Sequence, residues 1–155
     1  MKQLILITFL MILACDSRQI RNTKEIKSTQ LELMNNKDIT AYVKLHNYYE
    51  DDSSYYNMLP YSLYMLKKSN IGHYDFFCNY LRISFDGKYQ PKDILKLDEP
   101  EKNFLIYILQ LGSMKEDFYC IKVLSDYYRN GIVVKKDIRV ADSLYQKLGY
   151  AKSDY

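Results

Sequence analysis

The chain has no tryptophan and few of the residues that interrupt regular structure: five glycines and three prolines among 155 residues. No strand-like alternation flanks a turn pair of the Asn-Gly kind, which argues against a sheet built from hairpins. Histidine occurs twice, at His46 and His73. Neither stands in an HExxH context, and there is no CxxC pair and no nucleophile elbow. Catalysis therefore has no motif to rest on, no cofactor or metal is implied, and each histidine is read as a surface or helix-end residue. An excess of one charge is also missing. With 22 lysines and arginines against 19 aspartates and glutamates the formal charge is +3, and without a basic stripe nucleic acid is not an expected partner. The longest apolar run, Leu4 to Leu13, is broken by Thr8 and is too short to cross a bilayer comfortably.

Tyrosine is abundant, with seventeen residues, and a helical period is present. From Asp117 to Tyr150 the chain reads as two short helices joined by a loop. Phe118, Ile121, Leu124 and Tyr128, with Cys120 on the flank, recur at three- and four-residue steps. Gly131 then stops the helix. Asp137 stands where an N-cap is wanted, and Ile138, Ala141, Leu144, Tyr145 and Leu148 continue the period up to Gly149. Such a hairpin cannot bury its own apolar stripe and needs neighbours.

In these residues the chain resembles the Sel-one-like repeats, a branch of the tetratricopeptide-like helical arrays, whose pattern is A-x3-L-G-x2-Y-x2-G-x-G-V-x2-D-x3-A-x2-W-Y. Cys120, Leu124, Tyr128, Gly131, Val134, Asp137, Ala141 and Tyr145 fall in register, with Cys120 in place of the small alanine. Three positions depart from it: Ser125 replaces a glycine, Val133 the second loop glycine, and Leu144 the tryptophan. The match covers one repeat, about a quarter of the chain. It implies close helix approach at the small residues, a tyrosine filling the gap between hairpins, and a sharp glycine turn.

At the N-terminus, residues 1–14 suit a signal peptide, and Ile12-Leu13-Ala14-Cys15 resembles a bacterial lipobox. That resemblance implies cleavage before Cys15, lipidation of Cys15, and anchorage in an envelope membrane with the body facing the periplasm. Asp16 slightly favours the inner membrane over the outer. Residues 15–37 are polar, mixed in charge and free of glycine and proline. A tether is the favoured reading, and a frayed first helix containing Ile26, Leu31 and Leu33 is the other.

From Asp38 the helical period resumes. Asp38 is a candidate cap, and Ala41, Leu45 and Tyr49 repeat the ladder of the last hairpin. Asp75-Phe76-Phe77-Cys78 echoes Asp117-Phe118-Tyr119-Cys120, and Gly87 with Lys92-Asp93-Ile94 echoes Gly131 with Lys136-Asp137-Ile138. The stretch from Glu99 to Leu111 is apolar on nearly all sides, so it is expected to be the most buried helix, stopped by Gly112. The expected fold is all-α: one domain over 38–155, a right-handed superhelix of three hairpins at 38–72, 73–112 and 113–150.

The expected function is non-enzymatic protein binding. Tyr48, Tyr49, Glu50, Asp51, Asp52, Tyr55 and Tyr56 are the candidate contacts, since tyrosine is favoured at interfaces and the acidic run suits a basic partner better than it suits calcium. Tyr61, Tyr127 and Tyr128 are further interface candidates. Cys78 and Cys120 are read as buried thiols in preference to a disulfide. The resemblance to repeat-bearing envelope lipoproteins implies an immunity protein that neutralises an antibacterial effector, such as a phospholipase delivered by type VI secretion. The alternative is an envelope scaffold or regulatory adaptor.

Overall fold

The computed structural model describes residues 23–36, 38–51, 54–68 and 72–149. Every regular element among them is helical: α1 Thr23–Asn36, α2 Ile39–Asp51, α3 Leu59–Lys68, α4 Gly72–Ser84, α5 Glu99–Met114, α6 Phe118–Asn130 and α7 Ile138–Lys147, with short 3-10 turns at Tyr55–Met58 and Pro91–Lys96. The expected signal peptide, the lipidation site Cys15 and the candidate Asp52 lie outside the described residues. No helix among the described residues is long and apolar enough to cross a membrane.

The chain forms two compact units, Met1–Ser54 and Tyr55–Tyr155. In the first, α1 packs on α2. From Thr23 onward the stretch is thus the first helix of the alternative reading and not a tether. Its residues are mostly fair helix formers with no glycine or proline, and two anchors one turn apart, Thr29 and Leu33, are buried. Thr29 Oγ1 donates back to Glu25 O at 2.8 Å, and Gln30 Nε2 donates to Tyr49 OH at 2.9 Å. On α2 the expected ladder is buried at Ala41, Leu45 and Tyr49, with Tyr42 beside it. Asp38 caps the helix through Oδ1, which accepts from Thr40 N at 2.7 Å. The boundary between units falls inside the stretch 38–72 expected as one hairpin, because the partner of α2 within its unit is the α1 that the sequence reads as a tether.

In the second unit each helix packs on its chain neighbours, and α4 also meets α6. Phe76, Phe77, Leu81, Ile94, Leu105, Leu109, Cys120, Ile121, Leu124, Tyr127 and Leu144 share the core. Asp98 starts α5 with a capping box, accepting from Glu101 N while Glu101 accepts from Asp98 N. Asp117 Oδ1 accepts from Tyr119 N and Cys120 N, and Asp137 Oδ1 from Arg139 N and Val140 N. Each such cap contributes about 1 kcal/mol. The link between α4 and α5 is fastened at its 3-10 turn, where Tyr127 OH donates to Pro91 O at 2.6 Å. There Lys96 Nζ lies 2.7 Å from Asp93 Oδ1.

Two expectations about α5 and the repeat are corrected. Gly112 does not stop α5, which runs on to Met114. Gly112 is the point of closest approach: a Cβ there would overlap Cys120 Sγ and come 2.8 Å from His73 Cβ. His73 is accordingly buried at the start of α4, not at the surface. The echo between Asp75 and Asp117 is not a structural equivalence either. Asp117 is the N-cap of α6, whereas Asp75 lies within the first turn of α4. Phe76 and Phe77 are buried, while Phe118 and Tyr119 are exposed.

The loop between α6 and α7 has two residues with positive φ. Gly131 is left-handed at φ 71° and Val133 at φ 60°. Ser125, standing in for a glycine, is buried and donates to Ala141 O at 2.9 Å, joining α6 to α7. Leu144 fills the tryptophan position inside the core.

Two stability orders should reverse. Gly112→Ala, which normally favours a helix by about 1 kcal/mol, is expected to lower stability by about 1–3 kcal/mol in denaturant melts through overpacking. At residue 133 the glycine variant is expected to exceed the alanine variant by about 1 kcal/mol, and a more stable alanine variant would contradict the positive φ.

Candidate functional site

From Phe104 to Leu111 α5 is apolar but for Gln110, yet only one side of it is covered. Leu105, Ile106, Ile108 and Leu109 face inward and are buried. Phe104, Tyr107, Leu111 and Met114, spaced by three and four residues, form a second row. Phe104 is 42 % exposed, Tyr107 54 % and Met114 78 %, and Leu111 is half-buried. The expectation that α5 is the most buried helix is corrected accordingly. Phe104 is steadied by the edge of Phe76, 5.8 Å between centroids at 87°. Other exposed apolar residues in the first unit, Leu31, Met34, Ile39 and Val43, are spread over two helices.

At the C-terminal end of this row the chain turns into α6 around a groove of about 440 Å³ lined by Tyr74, Asp75 and residues 115–119. Tyr119 stacks on Tyr74 at 5.0 Å and 22°, and Phe118 stands edge-on to Tyr119 at 5.3 Å and 85°. Phe118 and Tyr119 are both exposed. The turn is closed by Asp117 N donating to Gly112 O at 3.0 Å, which puts Glu116 in the left-handed region at φ 62°. Lys115 Nζ donates to Leu66 O at 3.0 Å.

Behind the groove lie the thiols. Cys78 is half-buried and Cys120 buried, and neither is in a disulfide. Burial pushes the Cys78 thiol up, against lowering contacts from Tyr89 and Tyr74. Burial, then the nearby Asp117 carboxylate, raises Cys120 well above the usual thiol range. Neither carries the electropositive, exposed setting of a nucleophile. Among the tyrosines, Tyr80 is raised to about 12 by its hydrogen bond to Glu101 and by burial; its OH donates at 2.6 Å.

The candidate contacts proposed from sequence fall in both units. Tyr48, Tyr49, Glu50 and Asp51 belong to the first unit, Tyr55 and Tyr56 to the second. Tyr49 is buried, its OH accepting from Gln30. Tyr48 stands edge-on to Tyr49 at 5.3 Å. Glu50 is exposed, with Oε2 3.7 Å from His46 Nδ1. Tyr55 lies against Gly87 and beneath Arg82, whose guanidinium is 5.7 Å from the rings of both Tyr55 and Tyr89. Tyr56 is exposed. Of the further tyrosines, Tyr127 is a core residue and Tyr128 is half-buried. The sequence reading missed Tyr107, Met114 and Tyr119. The i, i+3 and i+4 spacing of Phe104, Tyr107, Leu111 and Met114 is the signal that could have found the first two, as a second apolar row on the same helix.

Comparison of the chain with protein-family models, curated proteins and solved structures finds no match. Among the described residues no group of three or more His, Cys, Asp or Glu side chains is placed to hold a metal ion.

The thiol setting has a measurable consequence. In native protein at pH 8, iodoacetamide should label Cys78 and Cys120 roughly a hundredfold more slowly than in urea. Labelling of Cys120 at the unfolded rate would contradict its burial beneath Gly112.

Proposed function

We propose that the chain is a non-enzymatic protein-binding module whose contact surface is the outer row of α5 with the adjoining aromatic groove. The observation that carries this reading is the exposure of Phe104, Tyr107 and Met114 on one face of a helix whose other face is core. Exposed rows of large apolar and aromatic side chains mark contact sites, and buried tyrosine anchors supply much of the energy at protein interfaces. Aromatic rings, here Phe104, Tyr107, Phe118 and Tyr119, offer large area for few rotatable bonds.

The finer reading, an envelope lipoprotein that neutralises a secreted antibacterial effector, is supported by sequence resemblance at 12–15 and 120–145. In the same region, Gly131, Asp137 and Ala141 occupy the turn, cap and buried small position that a Sel-one-like hairpin uses. The right-handed superhelix of three hairpins belongs to this proposal too. A lipid anchor would suit such a role, because tethering raises the inhibitor's effective concentration at the membrane that a lipase attacks.

Affinity capture from the native cell with the tagged chain, followed by binding measurements on the captured protein, tests the reading. Tyr107→Glu with Met114→Glu is expected to weaken a stoichiometric partner by about 30-fold or more with an unchanged circular-dichroism spectrum and melting temperature. Undiminished binding by the well-folded double variant would move the contact away from α5.

A further inference from the structure

We propose that the groove between α4 and the α5–α6 turn takes an arginine side chain presented by the protein partner; this rests on the protein-binding reading and specifies one contact within it. The groove is lined by the aromatic rings of Tyr74, Phe118 and Tyr119. Tyr119 lies almost parallel to Tyr74, and Phe118 is almost perpendicular to Tyr119. Phe118 and Tyr119 both remain exposed, so a planar cation can lie on the solvent-facing side of either ring, where an aromatic face is negative.

The charge of the lining complements such a cation. Asp75, Glu116 and Asp117 contribute carboxylates against the single ammonium of Lys115, and that ammonium is drawn to the carbonyl of Leu66. The groove is thus locally negative in a chain whose formal charge is +3. Asp117 is engaged by two backbone N–H groups of α6, and Asp75 sits in the positive first turn of α4. Glu116 lies outside both helices and is exposed, so its charge faces an incoming group least compensated.

Glu116 also occupies a left-handed position, φ 62°, where glycine is the favoured residue at a helix end closed in this way. Its side chain therefore opposes local backbone preference, as is common where a residue serves binding. Arginine is the expected cation. Its guanidinium is planar, more weakly hydrated than an ammonium, stacks on aromatic faces and pairs with carboxylate through two N–H groups.

Titration of the full chain with Nα-acetyl-arginine methylamide, followed by amide NMR shifts, tests the assignment. Saturable shifts confined to residues 74–75 and 115–119 are expected. Glu116→Gln and Tyr119→Ala should each weaken binding by about five- to tenfold. Glu116→Gly should raise the melting temperature while weakening binding by a similar factor, a pairing that a purely structural role for Glu116 would not produce. The lysine analogue should bind at least about threefold more weakly. Absent or unsaturable shifts, unchanged affinity in Glu116→Gln, or equal binding of the lysine analogue or tetramethylammonium would overturn the proposal. With the captured partner, a comparable loss of affinity in Glu116→Gln supports the groove. An unchanged affinity overturns the groove and leaves the α5 contact standing.

Discussion

At Gly112 the second unit has no room for a methyl group. Cys120 of α6 and His73 of α4 both press on the backbone of α5 there, and the packing of α4 against both α5 and α6 depends on that approach. Helices this close must interlock through small or thin side chains, which is why a cysteine at the N-terminal end of α6 and a glycine near the C-terminal end of α5 oppose each other. Burial then fixes the chemistry. A thiol held in this contact, beside the Asp117 carboxylate, is poorly ionised and behaves as a small apolar filler.

The same approach decides which side of α5 is left over. With Leu105, Ile108, Leu109 and Gly112 turned toward α4 and α6, the row of Phe104, Tyr107 and Met114 points outward. The helix end is closed by a backbone turn that places Glu116 and Phe118 at the edge of a groove. The close approach at Gly112 and the exposed row of Phe104, Tyr107 and Met114 are thus different sides of one helix. A protein partner covering that surface would complete a burial that the isolated chain leaves half finished.

The loop after α6 shows backbone geometry held against the preference of a residue. Val133 takes a left-handed conformation that its β-branched side chain disfavours, held because Asp137 N donates to Tyr128 O at 2.8 Å and Ile132 N to Tyr127 O at 3.0 Å. Ser125 follows the same logic: in place of a glycine it stays buried by giving its hydroxyl to the Ala141 carbonyl. Local preference yields here to a hairpin that the surrounding contacts determine more strongly.

The sequence by itself determined that the described residues are helical, that Gly131 ends α6, and that Asp38 and Asp137 cap helices. It did so because caps and glycine turns are local: a carboxylate two or three residues ahead of an N–H meets it whatever lies beyond. The sequence also carried the buried ladder of α2, since apolar residues at helical spacing against a polar face leave one choice. Only the tertiary structure decided which face of α5 is inside, because both of its faces are apolar and periodicity cannot rank them. It alone showed that Tyr127 is interior while Tyr56, Tyr107 and Tyr119 are exposed. A tyrosine has an apolar ring and a polar tip, so it serves either place, and its place is set by whether the hydroxyl finds a partner such as Gln30 or the Pro91 carbonyl. The helix at 23–36 belongs with these. The sequence left a tether and a frayed helix both open there, and the helix forms once α2 supplies a surface on which Thr29 and Leu33 are buried.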